Sequence, residues 1–236
     1  MDRNQIKVLI RQMTLEEKAG QVTQLPSRYF AIQGSQLTGT ETKLGISEEK
    51  KWLCGSILGK LDAVSMRNIQ KENLERSRLQ IPLMFMTDIV HGYQTIFPVP
   101  LAMAGSFDPG MVRECARISA KEGSAAGYQV TFSPMVDVVR DPRWGRVMES
   151  FGEDSKLNCD FGKAMVEGYQ GENLKDPDRL AACVKHFAAY GAAEGGRDYN
   201  TSDVSEFRLR NKYFPPFKAC IDAVSYTHLR AHETLA

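Results

Sequence analysis

The stretch Leu180-Ala181-Ala182-Cys183-Val184-Lys185-His186 is an apolar run that ends in two polar side chains. A second stretch of the same kind, Leu83-Met84-Phe85-Met86-Thr87-Asp88, ends in a carboxylate. Continuous apolar runs of this length are typical of strands in a parallel sheet, because such strands are covered on both faces. The two stretches therefore predict a parallel sheet with polar groups at the carboxyl ends of its strands.

Outward from these stretches, strands and helices alternate along the chain. Two further short strands are predicted at residues 55–59 and 130–134, and no Asn-Gly hairpin signal occurs between strands. This order predicts an α/β fold. No Gly-x-Gly-x-x-Gly follows a strand, which favours a barrel over a dinucleotide-binding sheet. A closed barrel has eight strands, so the predicted fold class is an incomplete (β/α)8 TIM-type barrel, about the first four βα units.

Helix positions follow from capping residues and apolar spacing. Thr14 and Glu17 form a capping box, and Asp108-Pro109 has the order of an N-cap and first helical residue. Further helix starts are predicted at Ser47, at Asp62 (with a helix to about Leu79) and at Ser205. Apart from the short helix that begins at Ser47, residues 26–50 are predicted to be loop. Two sets of apolar residues mark buried helix faces: Met111, Val112, Cys115 and Ile118, and Leu157, Phe161, Met165 and Tyr169.

The composition excludes several classes of protein. The 236 residues include 30 Lys and Arg against 29 Asp and Glu, so the chain has no strong field for nucleic acid or an anionic membrane. With 42% hydrophobic residues and no apolar run of about 18 residues, the chain is expected to be globular without a membrane span. No signal peptide is apparent, and five widely spaced cysteines predict reduced thiols.

Polar residues follow three predicted strands, where parallel α/β folds bind their ligands. Asp88 ends one strand, Arg146 lies in the segment after another, and Lys185 and His186 end a third. A carboxylate can accept from sugar hydroxyls while Lys, Arg and His donate to them. Trp144 is expected to cover an apolar sugar face. These residues predict a carbohydrate site that needs neither a metal nor a cofactor.

Other interpretations of these residues stay open at this point. Asp88 is equally suited to cap the next helix. Arg143 and Arg146 are able to order their own loop by pairing with neighbouring acidic residues: Asp141, Glu149 or Glu153. Lys185 on a barrel strand would also suit a Schiff-base aldolase.

Several blocks of the sequence together resemble glycoside hydrolase family 3, in particular its periplasmic β-glucosidase branch. The blocks are Met13 to Lys18, Asp88 to Gly92 with Phe97-Pro98, Pro134 to Asp137 with Asp141 to Arg146 and Phe151 to Asp154, and Lys185 to Gly191 with Glu194 to Gly196 and Tyr199 to Thr201. They occur in the order found in the family, over about residues 6–223.

The resemblance implies a barrel domain followed by a second domain, and a retaining, exo-acting β-glycosidase that removes terminal β-D-glucosyl residues. Its substrates would be β-linked glucosides or xylosides, and its location periplasmic or secreted. Family members bind the first sugar with the residues that correspond to Asp88, Arg146, Lys185 and His186, and Arg197 is a further candidate.

The family pattern is incomplete in this sequence. The nucleophilic Asp and the acid/base Glu belong to regions that the resemblance does not reach, so no catalytic residue is assigned. Residues 225–236 are polar and lack strand periodicity, which predicts a family domain over 1–224 and a disordered, non-family tail over 225–236. A half barrel has unpaired strand edges, and self-association is expected from them.

Overall fold

A computed structural model describes residues 2–30 and 45–223 and the backbone of residues 228–230. Most of the loop predicted at 26–50 lies outside the described residues. The chain divides into two compact units, Met1–Thr87 and Asp88–Ala236, and each is described by itself.

The first unit is a small parallel α/β arrangement. Within its described part the elements are α1 (Arg3–Gln12), α2 (Leu15–Gln21), β1 (Gln24–Pro26), a 3-10 turn (Ser27–Phe30), α3 (Glu48–Lys51), β2 (Ser56–Leu58), α4 (Ala63–Arg76) and β3 (Met84–Thr87). Strand β2 lies between β1 and β3 and pairs with both in parallel, with Ile57 opposite Leu25 and Phe85. These three side chains are buried, so the centre of the sheet belongs to the core.

The second unit contains the longer helices. Its described elements are α5 (Pro100–Ala104), α6 (Pro109–Ala126), β4 (Val130–Thr131), a 3-10 turn (Val147–Glu149), α7 (Ser155–Gln170), β5 (Ala181–Lys185), two 3-10 turns (Tyr190–Ala192 and Glu194–Gly196), α8 (Glu206–Arg208), a π-helical turn (Leu209–Tyr213), α9 (Pro215–Ala223) and β6 (His228–Arg230). Strand β5 pairs in parallel with β4 and with β6. The predicted α/β fold with parallel strands is therefore confirmed.

Helices α6 and α7 pack closely in this unit. A Cβ atom added to Gly168 would lie 2.3 Å from the carbonyl oxygen of Arg113, so only glycine allows the two helices to approach this far. Phe161, Met165 and Tyr169 are buried along α7, as their spacing predicts. The Tyr169 hydroxyl donates to the carbonyl of Ile89 at 2.6 Å, which connects the helix to the segment after Asp88.

The predicted helix caps are confirmed, because caps depend on residues only two or three positions apart. Thr14 and Glu17 form the capping box of α2, Ser47 and Asp62 cap α3 and α4, and Asp108 and Ser205 cap α6 and α8. Gly127 ends α6 with a φ of 110°, a conformation that favours glycine.

Other predictions about elements are corrected. Helix α4 ends at Arg76, three residues before the predicted end. Met111 is 37% exposed and does not face the core, whereas Val112 is fully buried. Strands β1 and β6 were not predicted, since three residues are too few to establish a period.

None of the five cysteines, all of which lie in the described residues, forms a disulfide, in agreement with the reduced thiols predicted from their spacing. Burial raises the pKa of Cys54 to about 11, so this thiol stays protonated near neutral pH. None of the helices in the described part of the chain combines the length and the apolar composition needed to cross a bilayer.

Candidate carbohydrate site

The carboxyl end of β5 positions two of the predicted site residues. Residues 134–136 run beside this strand end: Lys185 donates its backbone N–H to Pro134 at 3.1 Å, and Val136 donates to Lys185 at 2.9 Å. This parallel pairing places Asp137, the next residue along, beside His186. The residues of β5 before Lys185 are apolar. Its polar end, Lys185 followed by His186, therefore lies where the apolar run stops.

Lys185 forms an ion pair with Asp88. Its Nζ lies 2.5 Å from Asp88 Oδ1, and the lysine side chain is only 4% exposed whereas that of Asp88 is 42% exposed. A buried ammonium is costly unless it is paired. The more exposed Asp88 carboxylate provides the opposite charge for Lys185. Asp88 is thus not a helix cap here. Because the Lys185 ammonium is engaged by this carboxylate, the geometry favours binding over Schiff-base chemistry.

The imidazole of His186 lies between the carboxylate of Asp137 and the guanidinium of Arg146. Asp137 Oδ2 accepts from the backbone N–H of His186 at 2.9 Å and lies 2.8 Å from Nδ1. The opposite ring nitrogen, Nε2, lies 3.4 Å from Arg146 Nη1. Burial lowers the pKa of His186, Asp137 opposes this effect, and the positive charges of Arg146 and Lys185 add to it. The imidazole is therefore biased towards its neutral form.

Arg146 contacts His186 as well as Glu149, which lies in the same loop as Arg146. Its guanidinium donates to both carboxylate oxygens of Glu149 at 2.7 Å and lies over the ring of Tyr190, 5.5 Å from the ring centroid. Burial alone would lower the pKa of Arg146, but hydrogen bonding to Glu149 and Tyr190 raises it above its ordinary value. The bidentate pair fixes the plane of the guanidinium.

Trp144 does not have the role predicted for it. The indole is 1% exposed and packs edge-on against Tyr190, with ring centroids 5.0 Å apart. Both Trp144 Nε1 and the Tyr190 hydroxyl donate to Asp198 Oδ1, at 2.8 and 2.6 Å. Burial raises the pKa of Asp198, but these two hydrogen bonds, the charge of Arg146 and a backbone hydrogen bond from Tyr199 together outweigh it, and the net shift is downward. Trp144 is thus part of the core that supports the site, and it is unavailable to cover a sugar.

Four of the five predicted site residues line one cavity of about 330 Å³. Its described lining is Asp88, Val90, Arg146, Glu149, Lys185, His186 and Tyr199. The volume is at the lower end of the range for small-ligand sites, about 300–1,000 Å³. Among these lining residues the two carboxylates are each paired with a cation, Asp88 with Lys185 and Glu149 with Arg146.

Arg197 lies elsewhere. It is exposed and lines a neighbouring hollow with Arg143, Glu194, Gly195 and Asn200. Arg143 in turn pairs with Asp141, which confirms the loop-ordering interpretation for this arginine.

The sequence prediction does not include two polar residues of the cavity lining, Glu149 and Tyr199, or Asp137, which is buried and contacts His186. Glu149 appears in the sequence as a pairing partner of Arg146, but its place in the cavity lining depends on the 3-10 turn at Val147–Glu149. Tyr199 reaches the cavity from a distant loop. Asp137 directly follows the buried Met135-Val136, and that position after an apolar run is the signal that could have identified it.

The cavity therefore contains hydrogen-bond donors and acceptors side by side, with one of each in each ion pair. Lys185 and Arg146 supply donors, and Asp88 and Glu149 supply acceptors. Across residues 2–30 and 45–223, no group of three or more His, Cys, Asp and Glu side chains could hold a metal ion.

Comparisons with known proteins identify the family of this chain. The family model described as the glycosyl hydrolase family 3 N-terminal domain matches residues 14–235. A periplasmic β-glucosidase of Salmonella typhimurium is 43% identical over 92% of this chain, and a putative β-xylosidase of Formosa agariphila is 31% identical over the same share. The aligned regions are 27% and 30% of those two proteins.

Solved structures lead to the same family. A crystal structure of a β-glucosidase from Listeria innocua superposes with a TM-score of 0.91 at 47% identity, covering 98% of this chain and 33% of that one. The same β-glucosidase has been crystallised in complex with glucose, with a TM-score of 0.90 to this chain. The chain spans about a third or less of the length of these relatives. By its family match and by these relatives, the chain belongs to glycosyl hydrolase family 3.

Proposed function

We propose that the protein is a retaining, exo-acting β-glycosidase that removes terminal β-D-glucosyl residues, and that this chain supplies the wall binding the terminal sugar. The observation that carries the proposal is the cavity lined by Asp88, Arg146, Lys185 and His186. Adjacent donors and acceptors are what neighbouring hydroxyls of a pyranose require. β-Linked xylosides are the second substrate class, because a β-xylosidase is among the relatives.

The two cavity carboxylates are better suited to binding than to bond cleavage. Retaining hydrolysis needs two carboxyl groups about 5–5.5 Å apart, one as nucleophile and one as acid and then base. Asp88 and Glu149 each form an ion pair with a cation of the cavity, and a carboxylate so placed can accept hydrogen bonds from sugar hydroxyls. We infer that the nucleophile and the acid/base lie outside this chain and that the chain alone binds sugar without hydrolysing it.

Isothermal titration of the chain with glucose tests the binding role. We expect measurable binding, and a loss of about tenfold or more in Asp88→Asn, because charged hydrogen bonds contribute about 1.5–3 kcal/mol. Arg143→Ala is the matched control, since Arg143 lies outside the cavity lining. Glucose binding that is equal in the chain and in Asp88→Asn would contradict the site.

Hydrolysis of an aryl β-glucoside tests the second half of the proposal. We expect no turnover by the purified chain above the buffer rate. Clear turnover that disappears in Lys185→Met would show that the chain carries its own catalytic groups.

The arrangement of the strands also supports a proposal about architecture. Parallel pairing of β1, β2 and β3, and of β4 and β5, suits the first part of a (β/α)8 barrel. The domain boundary predicted at residue 224 stays a prediction, and β6 and the family match both extend beyond it. A structure of a longer form would test the barrel by showing whether further parallel strands close it.

Self-association is proposed from the same sheet. Among the described residues, β1 pairs only with β2, so one of its edges is open to another strand. Sedimentation velocity over a range of concentrations should show a species larger than 26.4 kDa. A single monomeric species at all concentrations would refute this proposal.

A further inference from the structure

We propose that Asp137 is a positioning residue that holds His186 in its Nδ1–H tautomer, so that Nε2 offers a hydrogen-bond acceptor to a sugar hydroxyl. The tautomer is a property of the chain itself. Its consequence for the hydroxyl rests on the proposed function.

The first constraint comes from Asp137. Its side chain is fully buried, and the single oxygen Oδ2 faces both the backbone N–H and Nδ1 of His186, at 2.9 and 2.8 Å. A carboxylate accepts hydrogen bonds, so the ring nitrogen that faces it must carry the proton. The neutral imidazole has only one N–H, which leaves Nε2 as an acceptor.

The second constraint comes from the opposite side of the ring. Arg146 Nη1 lies 3.4 Å from Nε2. A guanidinium has donors and no acceptor, so a proton on Nε2 would point one donor at another. Asp137 and Arg146, which precede His186 by 49 and 40 residues, therefore specify the same tautomer.

The second carboxylate oxygen of Asp137, Oδ1, has different surroundings from Oδ2. Asp137 Oδ1 is buried and has no hydrogen-bond partner within the described part of the chain. An unpaired buried acceptor costs stability. Within the described residues, the hydrogen bonds of the Asp137 carboxylate are therefore those that Oδ2 makes with His186.

This assignment reverses the expectation that His186 donates to the sugar. His186 lines the cavity together with Arg146. A hydroxyl that reaches Nε2 must donate its proton to the one lone pair of that nitrogen, in place of the long 3.4 Å contact from Arg146, and its oxygen can then accept from the arginine. A fluorine atom at that position cannot donate, so replacing the hydroxyl by fluorine should be as harmful as removing it.

Long-range ¹H–¹⁵N spectra of the ¹⁵N-labelled chain test the tautomer directly. The ring signals of His186 are those absent from His186→Gln. We expect a protonated Nδ1 and an unprotonated Nε2 in the native chain, retained in Asp137→Asn, whose amide oxygen can replace Oδ2. In Asp137→Ala the Nδ1–H form should lose population, whereas the exposed control Asp222→Asn should leave it unchanged.

Two results would overturn the proposal. One is an Nε2–H tautomer in the native chain, and the other is an unchanged tautomer in Asp137→Ala. If Asp137→Ala does not fold, the native spectrum and a folded Asp137→Asn still decide, because an Nε2–H ring in either of them refutes the proposal.

Binding of monodeoxy and monodeoxyfluoro glucoses tests the consequence for the ligand. At one ring position we expect fluorine to weaken binding as much as hydrogen does, by about three- to tenfold. In Asp137→Ala the penalty for fluorine should shrink at this position and stay within twofold elsewhere. Fluorine penalties that are identical in both proteins would overturn the acceptor role. If no glucose binds, the proposed function fails, while the ring spectra still decide the tautomer.

Discussion

Lys185 and Arg143 each lie beside a carboxylate, but their surroundings are opposite. The side chain of Lys185 is 4% exposed and lines the cavity, whereas that of Arg143 is 76% exposed and pairs with its near neighbour Asp141. An exposed pair contributes little to stability because water and salt already screen both charges. A buried charge depends on its partner, since its hydration has been lost.

The difference shows which charged residues of this chain belong to a site. Arg143 and Arg146 lie in the same loop, yet only Arg146 is partly buried and in contact with His186. A charge that is removed from water and aimed into a cavity is better explained by a ligand than by loop order.

Removing the partner of Lys185 should have the largest effect. Asp88→Ala leaves a buried ammonium unpaired, and we expect the free energy of unfolding to fall by about 2–3 kcal/mol, somewhat less than for a fully buried pair. Urea denaturation at pH 7 measures the change. The double variant Asp88→Ala/Lys185→Met should recover much of the loss, and a double variant no more stable than Asp88→Ala would contradict the pairing.

Arg146→Lys should weaken sugar binding more than it weakens the fold. Lysine keeps the charge but cannot bond both oxygens of Glu149 or face His186 with a planar group. We expect glucose affinity to fall about tenfold and the free energy of unfolding to fall by about 1 kcal/mol. Titration calorimetry and urea denaturation measure the two quantities. Unchanged affinity would mean that the guanidinium geometry is not needed for binding.

His186 should make stability depend on pH. Burial lowers the pKa of His186 below 6.5, so between that lower pKa and 6.5 the unfolded chain binds more protons than the folded one. The free energy of unfolding should therefore fall as the pH is lowered through this window. Urea midpoints between pH 5 and about 8 should fall more steeply for the native chain than for His186→Gln. Parallel curves would exclude this contribution.

The comparison also separates what the sequence predicts from what it does not. Strand β5 and its polar end are predictable, because an apolar run followed by Lys185 and His186 carries its own signal. Trp144 is not, because its burial depends on Tyr190 and Asp198, which lie 46 and 54 residues away. Packing between distant segments decides whether an aromatic ring covers a ligand or fills the core.

The same limit applies to the partners of His186. The strand-end rule identifies His186 as a site residue, but its role as donor or acceptor depends on Asp137, 49 residues earlier in the chain. Arg197 is a different case, and its role in sugar binding stays a prediction. Resemblance to a family assigned it to the sugar site, whereas the loop geometry directs it to a neighbouring hollow.

Arg143→Ala should have the smallest effect on the fold and the clearest effect on one titration. Hydrogen bonds from the Arg143 side chain and then from its backbone N–H lower the pKa of Asp141 from 3.8 to about 2. Without the side chain, the pKa should rise part of the way back, because the backbone bond remains. The ionised carboxylate contributes stability above about pH 4 that is lost as the pH falls towards 2. Carboxyl ¹³C titration by NMR measures the pKa, and the urea midpoint at pH 7 should fall only slightly, because water and salt screen this exposed pair. A large drop in that midpoint would mean that exposed and buried pairs in this chain do not differ as their surroundings imply.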